Sequence, residues 1–339
     1  MLYETVARYQ LSTAEADHIR AEAHTLATTL ADPCDPALYD HHLFADTGLP
    51  PRLRRFLHTF RRTESSAGLV IEGFPVDDVA VGPTPGHWEE SRGIPATLEH
   101  ELFLAMCGTA LGEPFTWATL QLGRMITDIL PIRGDERRQS GHGSETLLEF
   151  HTEDGFHPGR CDYLLLFGIR NHERAPTIMA SLRDIKLSDR DLDALMRPDF
   201  EIRPDDEHIR QLEARYPDHP ALARTEDMRD NPPSVPVLFG DRDRPYLRVD
   251  LPFMRCRDDA PRARHALAAL MEELERVQHS VVVDQGSLLV IDNYLAVHGR
   301  KPFRARYDGT DRWLKRMIVS RDLRKGAAVN LSGNRRVLF

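Results

Sequence analysis

His151-Thr152-Glu153, in the stretch LLEFHTEDGFHPGRCDYLLLFGIRN, sets an imidazole and a carboxylate two residues apart. Alternate residues of a strand share a face, so His151 and Glu153 at the end of TLLEFHTE project together while Thr152 points away. Two ligands of one metal need that arrangement. The pattern alone carries little information, since 16 His and 53 acidic residues in 339 give about 2.5 chance occurrences of His-x-Asp/Glu. The second occurrence, His87-Trp88-Glu89, lies among Pro83, Pro85, Gly86 and Gly93 with no strand on either side, and reads as a loop. A third ligand has to come from another strand. His298 is the best candidate, because it follows SLLVIDNYLAVH, read as a strand ending in a turn before Gly299. Two histidines and one carboxylate on one face of a metal leave the opposite positions open, which suits non-haem Fe(II) that also binds a cosubstrate and O2. Zinc with the same ligands is the competing metal.

A partner for an oxoacid cosubstrate would separate the two metals. Arg312 and Arg316 lie downstream of His298 in TDRWLKRMIVS, and on a strand residues 312, 314 and 316 share a face with Leu314 in the middle. Buried arginines without acidic partners are costly, so two guanidinium groups aimed into one cavity imply anionic ligands, each held bidentately. An open metal and two arginines together predict two carboxylates, one on the cosubstrate and one on the substrate. A solvated pair on an edge strand is the plainer alternative.

These residues need a scaffold. The chain of 339 residues is 41% hydrophobic and has no composition shift that divides it, so one domain spanning 1–339 is expected. Ser12-Thr13-Ala14-Glu15 has capping-box spacing and leads into an amphipathic helix through Ile19, Ala23, Leu26, Ala27 and Leu30. Pro33, Pro36, Pro50 and Pro51 punctuate a loop, 68–75 reads as a short buried strand, and a helix runs from about Thr97 to Leu111 before Gly112. From residue 115 the texture changes to strands: RMITDILPI, TLLEFHTE, DYLLLFGIR, VPVLFG, PYLRVDL, VVVD and SLLVIDN joined around Gln285-Gly286, and WLKRMIVS. Helices interrupt them at Ser188–Met196 and Asp259–Gln278, and a polar stretch at 204–235 reads as a lid or a surface insertion. The expected fold is mainly β with flanking helices: a helical part over about 1–112, then a sandwich or jelly roll over about 115–323.

The net charge of -9 and pI near 6 argue against nucleic acid, which needs a basic face. Cys34, Cys107, Cys161 and Cys256 form no CxxC pair and are expected as reduced thiols. With neither a leader-like N-terminus nor an apolar run of membrane length, the sequence reads as a cytoplasmic protein without membrane association.

The order of the motifs LPIRG, HTEDGFHPGRCDY, RPDD, LRVD, VDQG, IDN, AVHGR and RYDGTDRWLKR, from about Pro75 to Leu323, resembles the clavaminate-synthase-like Fe(II)/2-oxoglutarate oxygenases. Within them it is most similar to the free L-arginine β-hydroxylases and L-asparagine hydroxylases of peptide-antibiotic biosynthesis. The resemblance implies a double-stranded β-helix (jelly-roll) core and iron held by His151, Glu153 and His298. It implies that Arg312 grips the distal carboxylate of 2-oxoglutarate with Thr177 assisting. Arg316 would bind the substrate α-carboxylate, and Glu153 would also accept from its α-amino group. An intact Glu153 implies hydroxylation, because related halogenases carry a small residue there to admit chloride. Asp250 matches the first of two aspartates that hold a guanidinium in the arginine enzymes, whereas the second matches Pro252. At the position of a glutamine that contacts the α-amino group the chain has Leu120, with Gln121 beside it as the candidate.

The resulting expectation is a hydroxylase that takes Fe(II), 2-oxoglutarate and O2 and acts at Cβ or Cγ of a free L-amino acid with an arginine-like, citrulline-like or lysine-like side chain. Within the same class, desaturation or hydroxylation of a cyclic guanidino amino acid is the second reading. A zinc hydrolase and a non-catalytic jelly-roll binding protein are the readings from other classes.

Overall fold

A computed structural model of the chain describes residues 3–30, 32–40, 48–327, 330 and 334–339. Its centre is a pair of sheets between which the chain passes repeatedly. The larger sheet has the order Glu4–Gln10, Ser66–Glu72, Leu288–Asp292, Tyr163–Arg170, Trp313–Ser320, Glu113–Trp117 and Val337–Leu338, and Thr127–Ile129 also pairs with Trp313–Ser320. The smaller sheet has the order His279–Val281, Thr177–Ser181, Ala296–Arg300 and Leu148–His151, all antiparallel. In the larger sheet only the pairs Glu4–Gln10 with Ser66–Glu72 and Glu113–Trp117 with Val337–Leu338 are parallel. The architecture is therefore mainly sheet with helices packed outside.

Three bodies of apolar side chains fill the layers. Helices Thr13–Ala27, Pro51–Thr63 and Leu98–Leu111 cover the larger sheet through Ile19, Leu53, Phe103 and Met317. Leu164, Leu166, Met179, Leu289 and Leu314 lie in a second cluster, on strands of both sheets. Helices Asp189–Leu195 and Pro261–Arg276 cover the smaller sheet through Leu195, Ala266 and Leu270. The local signals are those expected: Ser12 and Glu15 form a reciprocal capping box, and Pro261 opens its helix. Gly286 closes the hairpin before Leu288–Asp292 at φ +74, and a Cβ there would come within 2.0 Å of the Phe74 carbonyl oxygen.

Four local expectations change. Pro51 starts the helix Pro51–Thr63 instead of prolonging a loop, because proline at the first helical position leaves no hydrogen bond unmade. Of RMITDILPI, only Thr127–Ile129 pairs as strand. Residues 204–235 contain two helices, Asp206–Arg215 and Pro220–Asp230, the first capped by Asp205. SLLVIDNYLAVH is two strands separated by a turn at 293–295, and His298 sits inside Ala296–Arg300. Among the described residues no helix is long and apolar enough to cross a membrane, and all four cysteines are free thiols.

Strand Trp313–Ser320 is central to the larger sheet, paired with Tyr163–Arg170 on one side and with Glu113–Trp117 and Thr127–Ile129 on the other. From it Lys315, fully out of solvent, reaches Glu101 of the helix Leu98–Leu111 at 2.7 Å and Asp128 at 2.8 Å. Both acids are buried, so losing the ammonium strands two charges. Replacing Lys315 with Met is expected to cost about 3–5 kcal/mol of stability, read as a drop in the chemical-denaturation midpoint.

Candidate metal and anion site

His151 and His298 are brought together by backbone pairing, as directly opposed residues of the adjacent strands Leu148–His151 and Ala296–Arg300. Their ring centres are 4.3 Å apart. The first strand stops at His151, so Glu153 approaches from the following turn and not from the alternation of an extended strand. The side chain of Asn293 fixes that turn by accepting from the Glu153 backbone N–H at 2.8 Å and donating to its carbonyl at 3.1 Å. Glu153 Oε1 then lies 4.0 Å from His151 Nε2 and 3.3 Å from His298 Nε2. One ligand atom from each of the three side chains falls within 4.8 Å of the others.

The electrostatics suit a cation. Glu153 Oε2 is paired with the Arg316 guanidinium, leaving Oε1 towards the histidines. Burial works against ionisation of Glu153, but Arg316 and then His298 outweigh it and hold the carboxyl well below its usual range. Burial, with His298 adding to it, pushes His151 down to about 4, so its imidazole is neutral at physiological pH. Nδ1 of His151 donates to the Glu149 carbonyl at 2.8 Å, which leaves the Nε2 lone pair facing the cluster. A neutral His, a second His and an ionised carboxylate with one oxygen free form the donor set of a mononuclear metal.

A second group, Asp32, Cys34 and Glu101, has the same compactness. It is already served by cationic side chains, because Arg124 donates to Cys34 Sγ at 2.9 Å and Lys315 pairs with Glu101.

Arg312 is almost entirely buried, and its one polar contact among the described residues is Thr177 Oγ1 at 3.5 Å. Burial, with Arg300 nearby, depresses it to about 9. Arg300 donates to the carbonyls of Gly143 and Thr146 but has no acidic partner among the described residues. The region around Arg312 is therefore electropositive and unneutralised.

Asp250 has the opposite sign. It pairs through its backbone with His151 in an isolated bridge, is 8% exposed, and its carboxylate has no partner among the described residues. Burial first, then Asp205, Asp154 and Glu153, push it well above the usual carboxyl range. Asp205 is also raised, chiefly by burial. Asp154, next to Glu153, accepts from Trp117 Nε1 at 2.6 Å and faces His208 Nε2 at 3.3 Å. His208 comes from the helix Asp206–Arg215, so this contact ties the 204–235 segment to the turn that carries Glu153.

Gln121 is the one candidate that the structure commits elsewhere. Both ends of its carboxamide bind the Asp128 backbone, the oxygen accepting at 2.8 Å and the nitrogen donating at 2.7 Å, which leaves no complementary face for an α-amino group. His87, set aside above, caps the short 3-10 turn Trp88–Ser91 by accepting from the Glu89 N–H. Asp154, Asp205, His208, Asn293 and Arg300 join the site without having been singled out. HTED, RPDD, IDN and AVHGR contain four of them, but sequence spacing says nothing of contacts that span up to 157 residues.

The chain is similar to known proteins over most of its length. Residues 123–318 match the family described as "Taurine catabolism dioxygenase TauD, TfdA family". The L-ornithine/L-arginine 3-hydroxylase of Catenulispora acidiphila is 41% identical over 305 residues, covering 88% of this chain and 89% of that one. The enduracididine beta-hydroxylase of Streptomyces hygroscopicus is 40% identical over 312 residues, covering 88% and 90%. The crystal structure of the non-haem iron oxygenase OrfP with Fe, succinate and (3S)-hydroxy-L-Arg superimposes with a TM-score of 0.90 at 40% identity, over 98% of this chain and 99% of that one.

If His151 supplies a ligand, His151→Ala will reduce Fe(II) binding from one equivalent to below about a tenth, with the thermal unfolding temperature of the metal-free protein unchanged. Metal analysis after equilibrium dialysis checks both the stoichiometry and, by zinc competition, the preference of the site.

Proposed function

Because the chain belongs to the TauD/TfdA family of dioxygenases, we propose that it hydroxylates a free L-amino acid with a cationic side chain at Cβ or Cγ, using Fe(II), 2-oxoglutarate and O2. The observation that carries this reading is a pair of uncompensated buried groups of opposite sign, Asp250 bridged to His151 and Arg312 on Thr177 of the strand that pairs with Ala296–Arg300. Arg312 lacks an anion and Asp250 lacks a cation. A dicarboxylate cosubstrate and a cationic amino acid supply the two missing partners.

In this assignment His151, Glu153 and His298 hold the iron, which supplies the oxidising power for an unactivated C–H bond while 2-oxoglutarate is converted to succinate and CO2. The remaining work belongs to the protein. Arg312, with Thr177, binds the distal carboxylate of 2-oxoglutarate. Arg316 keeps one nitrogen on Glu153 and offers the rest of its planar fork to the substrate α-carboxylate. Asp250 receives the cationic end of the side chain. Pro252, where the arginine enzymes carry a second aspartate, offers no charge, and Asp205 at the start of the helix Asp206–Arg215 is the nearby carboxylate able to take that place. The helices of 204–235 act as the lid that excludes water from the reacting carbon. The two sheets form the double-stranded β-helix of a single domain over 1–339, in which the largely helical part at about 1–112 lends the strands Glu4–Gln10 and Ser66–Glu72 to the larger sheet and about 115–323 supplies most of the core.

The ligand triad alone admits zinc, but membership of a dioxygenase family, together with a buried guanidinium at Arg312 able to take an oxoacid, favours iron. Relatives named as hydroxylases and oxygenases argue equally against a non-catalytic binding protein. Similarity to an enduracididine hydroxylase keeps a cyclic guanidino amino acid among the candidate substrates and supports a role in antibiotic biosynthesis.

Anaerobic addition of Fe(II) and 2-oxoglutarate is expected to give a metal-to-ligand charge-transfer band, and its absence would sink the oxygenase reading. Succinate release should be highest with arginine, ornithine or a cyclic guanidino amino acid. Arg312→Ala should raise the KM for 2-oxoglutarate about 100-fold or more while changing that for the amino acid less than about threefold, as expected for loss of a buried charge-assisted pair. Asp250→Asn should lower kcat/KM for cationic substrates by about 100-fold and leave residual turnover of neutral amino acids unchanged. Equal losses across both substrate classes would remove Asp250 from the specificity pocket.

A further inference from the structure

Among the described residues five arginines are almost fully buried: Arg160, Arg170, Arg300, Arg312 and Arg336. Three are compensated. Arg170 pairs with Asp78, Arg336 pairs with Asp40 and Glu113, and Arg300 donates to two backbone carbonyls. Arg312 touches only Thr177 and is assigned above to the cosubstrate. The side chain of Arg160, in HPGRCDY, makes no hydrogen bond and no ion pair among the described residues, although the residue is only 1% exposed.

The surroundings of Arg160 are aromatic. Its guanidinium carbon lies 4.4 Å from the centre of the Tyr294 ring and 5.3 Å from that of Phe239. A second guanidinium, that of Arg248, lies 6.0 Å from the same Phe239 ring and has no ion pair among the described residues. Nε of each arginine, and Nη2 of Arg160, are shielded from water and unpartnered. The neighbouring acid, Asp162, is already taken by Lys325, by the Arg321 N–H at 2.7 Å and by Ser320 Oγ at 3.1 Å. Burial and then Arg160 depress Arg248 to about 10, so the two positive fields overlap. Ring stacking satisfies the face of a guanidinium and leaves its edge, where the N–H donors are, seeking an acceptor. Two such edges in an apolar setting are the recognition chemistry of an oxyanion.

We propose that Arg160 and Arg248, flanked by Phe239 and Tyr294, form a second anion site that takes a small oxyanion, a carboxylate or a phosphate group, independently of the iron centre. Arg248 is half-buried and gives the anion its route from solvent. The site is linked to the metal turn through Asn293, whose Nδ2 donates both to the Glu153 carbonyl at 3.1 Å and to the Cys161 carbonyl, next to Arg160, at 3.0 Å. The site does not depend on the substrate assigned above, because none of its residues takes part in that assignment.

The test is calorimetric titration of the Fe(II)-loaded protein under anaerobic conditions, with saturating 2-oxoglutarate occupying the Arg312 pocket. Inorganic phosphate is injected in one series and acetate in another. At least one anion is expected to bind with a stoichiometry of one. Arg160→Gln and Arg248→Gln should weaken that binding tenfold or more, whereas Arg242→Gln, at an exposed arginine paired with Asp189 and Asp193, should leave it unchanged. Binding of phosphate alone identifies a phosphate group as the ligand, and binding of acetate alone a carboxylate. Should Arg160→Gln fail to fold, Arg248→Gln at its half-buried position decides the matter. No saturable binding of either anion to the wild-type protein overturns the proposal, and so does binding that a folded variant of either arginine leaves intact.

Discussion

The negative charge of Glu153 is held in the protein interior, and the rest of the candidate site is built around the means of holding it. A buried carboxylate on its own takes up a proton and becomes useless to a metal. Arg316, on Oε2, keeps it ionised against the cost of burial and turns the other oxygen towards the two histidines. Arg316 is placed by register: it lies opposite Leu166 on one neighbouring strand and Thr127 on the other. A slip of one residue would present Lys315 to Glu153 and turn Arg316 towards the helix Leu98–Leu111.

The alternation that sends Arg316 to the site sends Lys315 the other way, and the two positions solve the same problem on opposite faces of one strand. Lys315 neutralises Glu101 and Asp128 beneath the helix. Asp128 also accepts from Trp313 Nε1 and Ser91 Oγ, each at 2.6 Å. The strand is thereby clamped by a polar network on one face while it offers a guanidinium on the other. A site that must keep Glu153 Oε1 within a few ångströms of two imidazoles benefits from such a support, since a polar network satisfied throughout specifies one arrangement of its members.

The parts of this structure that were legible beforehand are the ones governed by local periodicity and capping. The Ser12–Glu15 box, the helix Leu98–Leu111 and the buried strand Tyr163–Arg170 follow from spacing and composition. Period two along WLKRMIVS puts Lys315 and Arg316 on opposite faces, whereas Arg312 precedes the strand and the register shifts between Trp313 and Leu314. Two local geometries escaped that reasoning. Glu153 lies past the end of its strand, and only Asn293, 140 residues away, explains where it points. Asn293 in turn belongs to a turn that splits an apolar run whose period gives no sign of the break. Pro51 was ambiguous in principle, since proline opens helices as readily as it extends loops. Gln121 is only adjacent in sequence to the matched position, and the backbone of Asp128 holds both ends of its carboxamide.

Charge compensation separates the structural groups of this protein from those proposed to meet ligands. Arg170, Arg336, Lys315 and Glu101 are buried and paired, and they hold elements together. Arg312 and Asp250 are buried and unpaired, and each is displaced towards its neutral form, the guanidinium by burial and Arg300, the carboxyl by burial and Asp205. A ligand of the right charge favours the ionised form and completes the pair, whereas a neutral isostere leaves the cost of burial in place. Discrimination of this kind comes from the group left unsatisfied by the wrong ligand more than from attraction to the right one. It requires few contacts, so one carboxylate at Asp250 can select a cationic side chain although Pro252 contributes no charge.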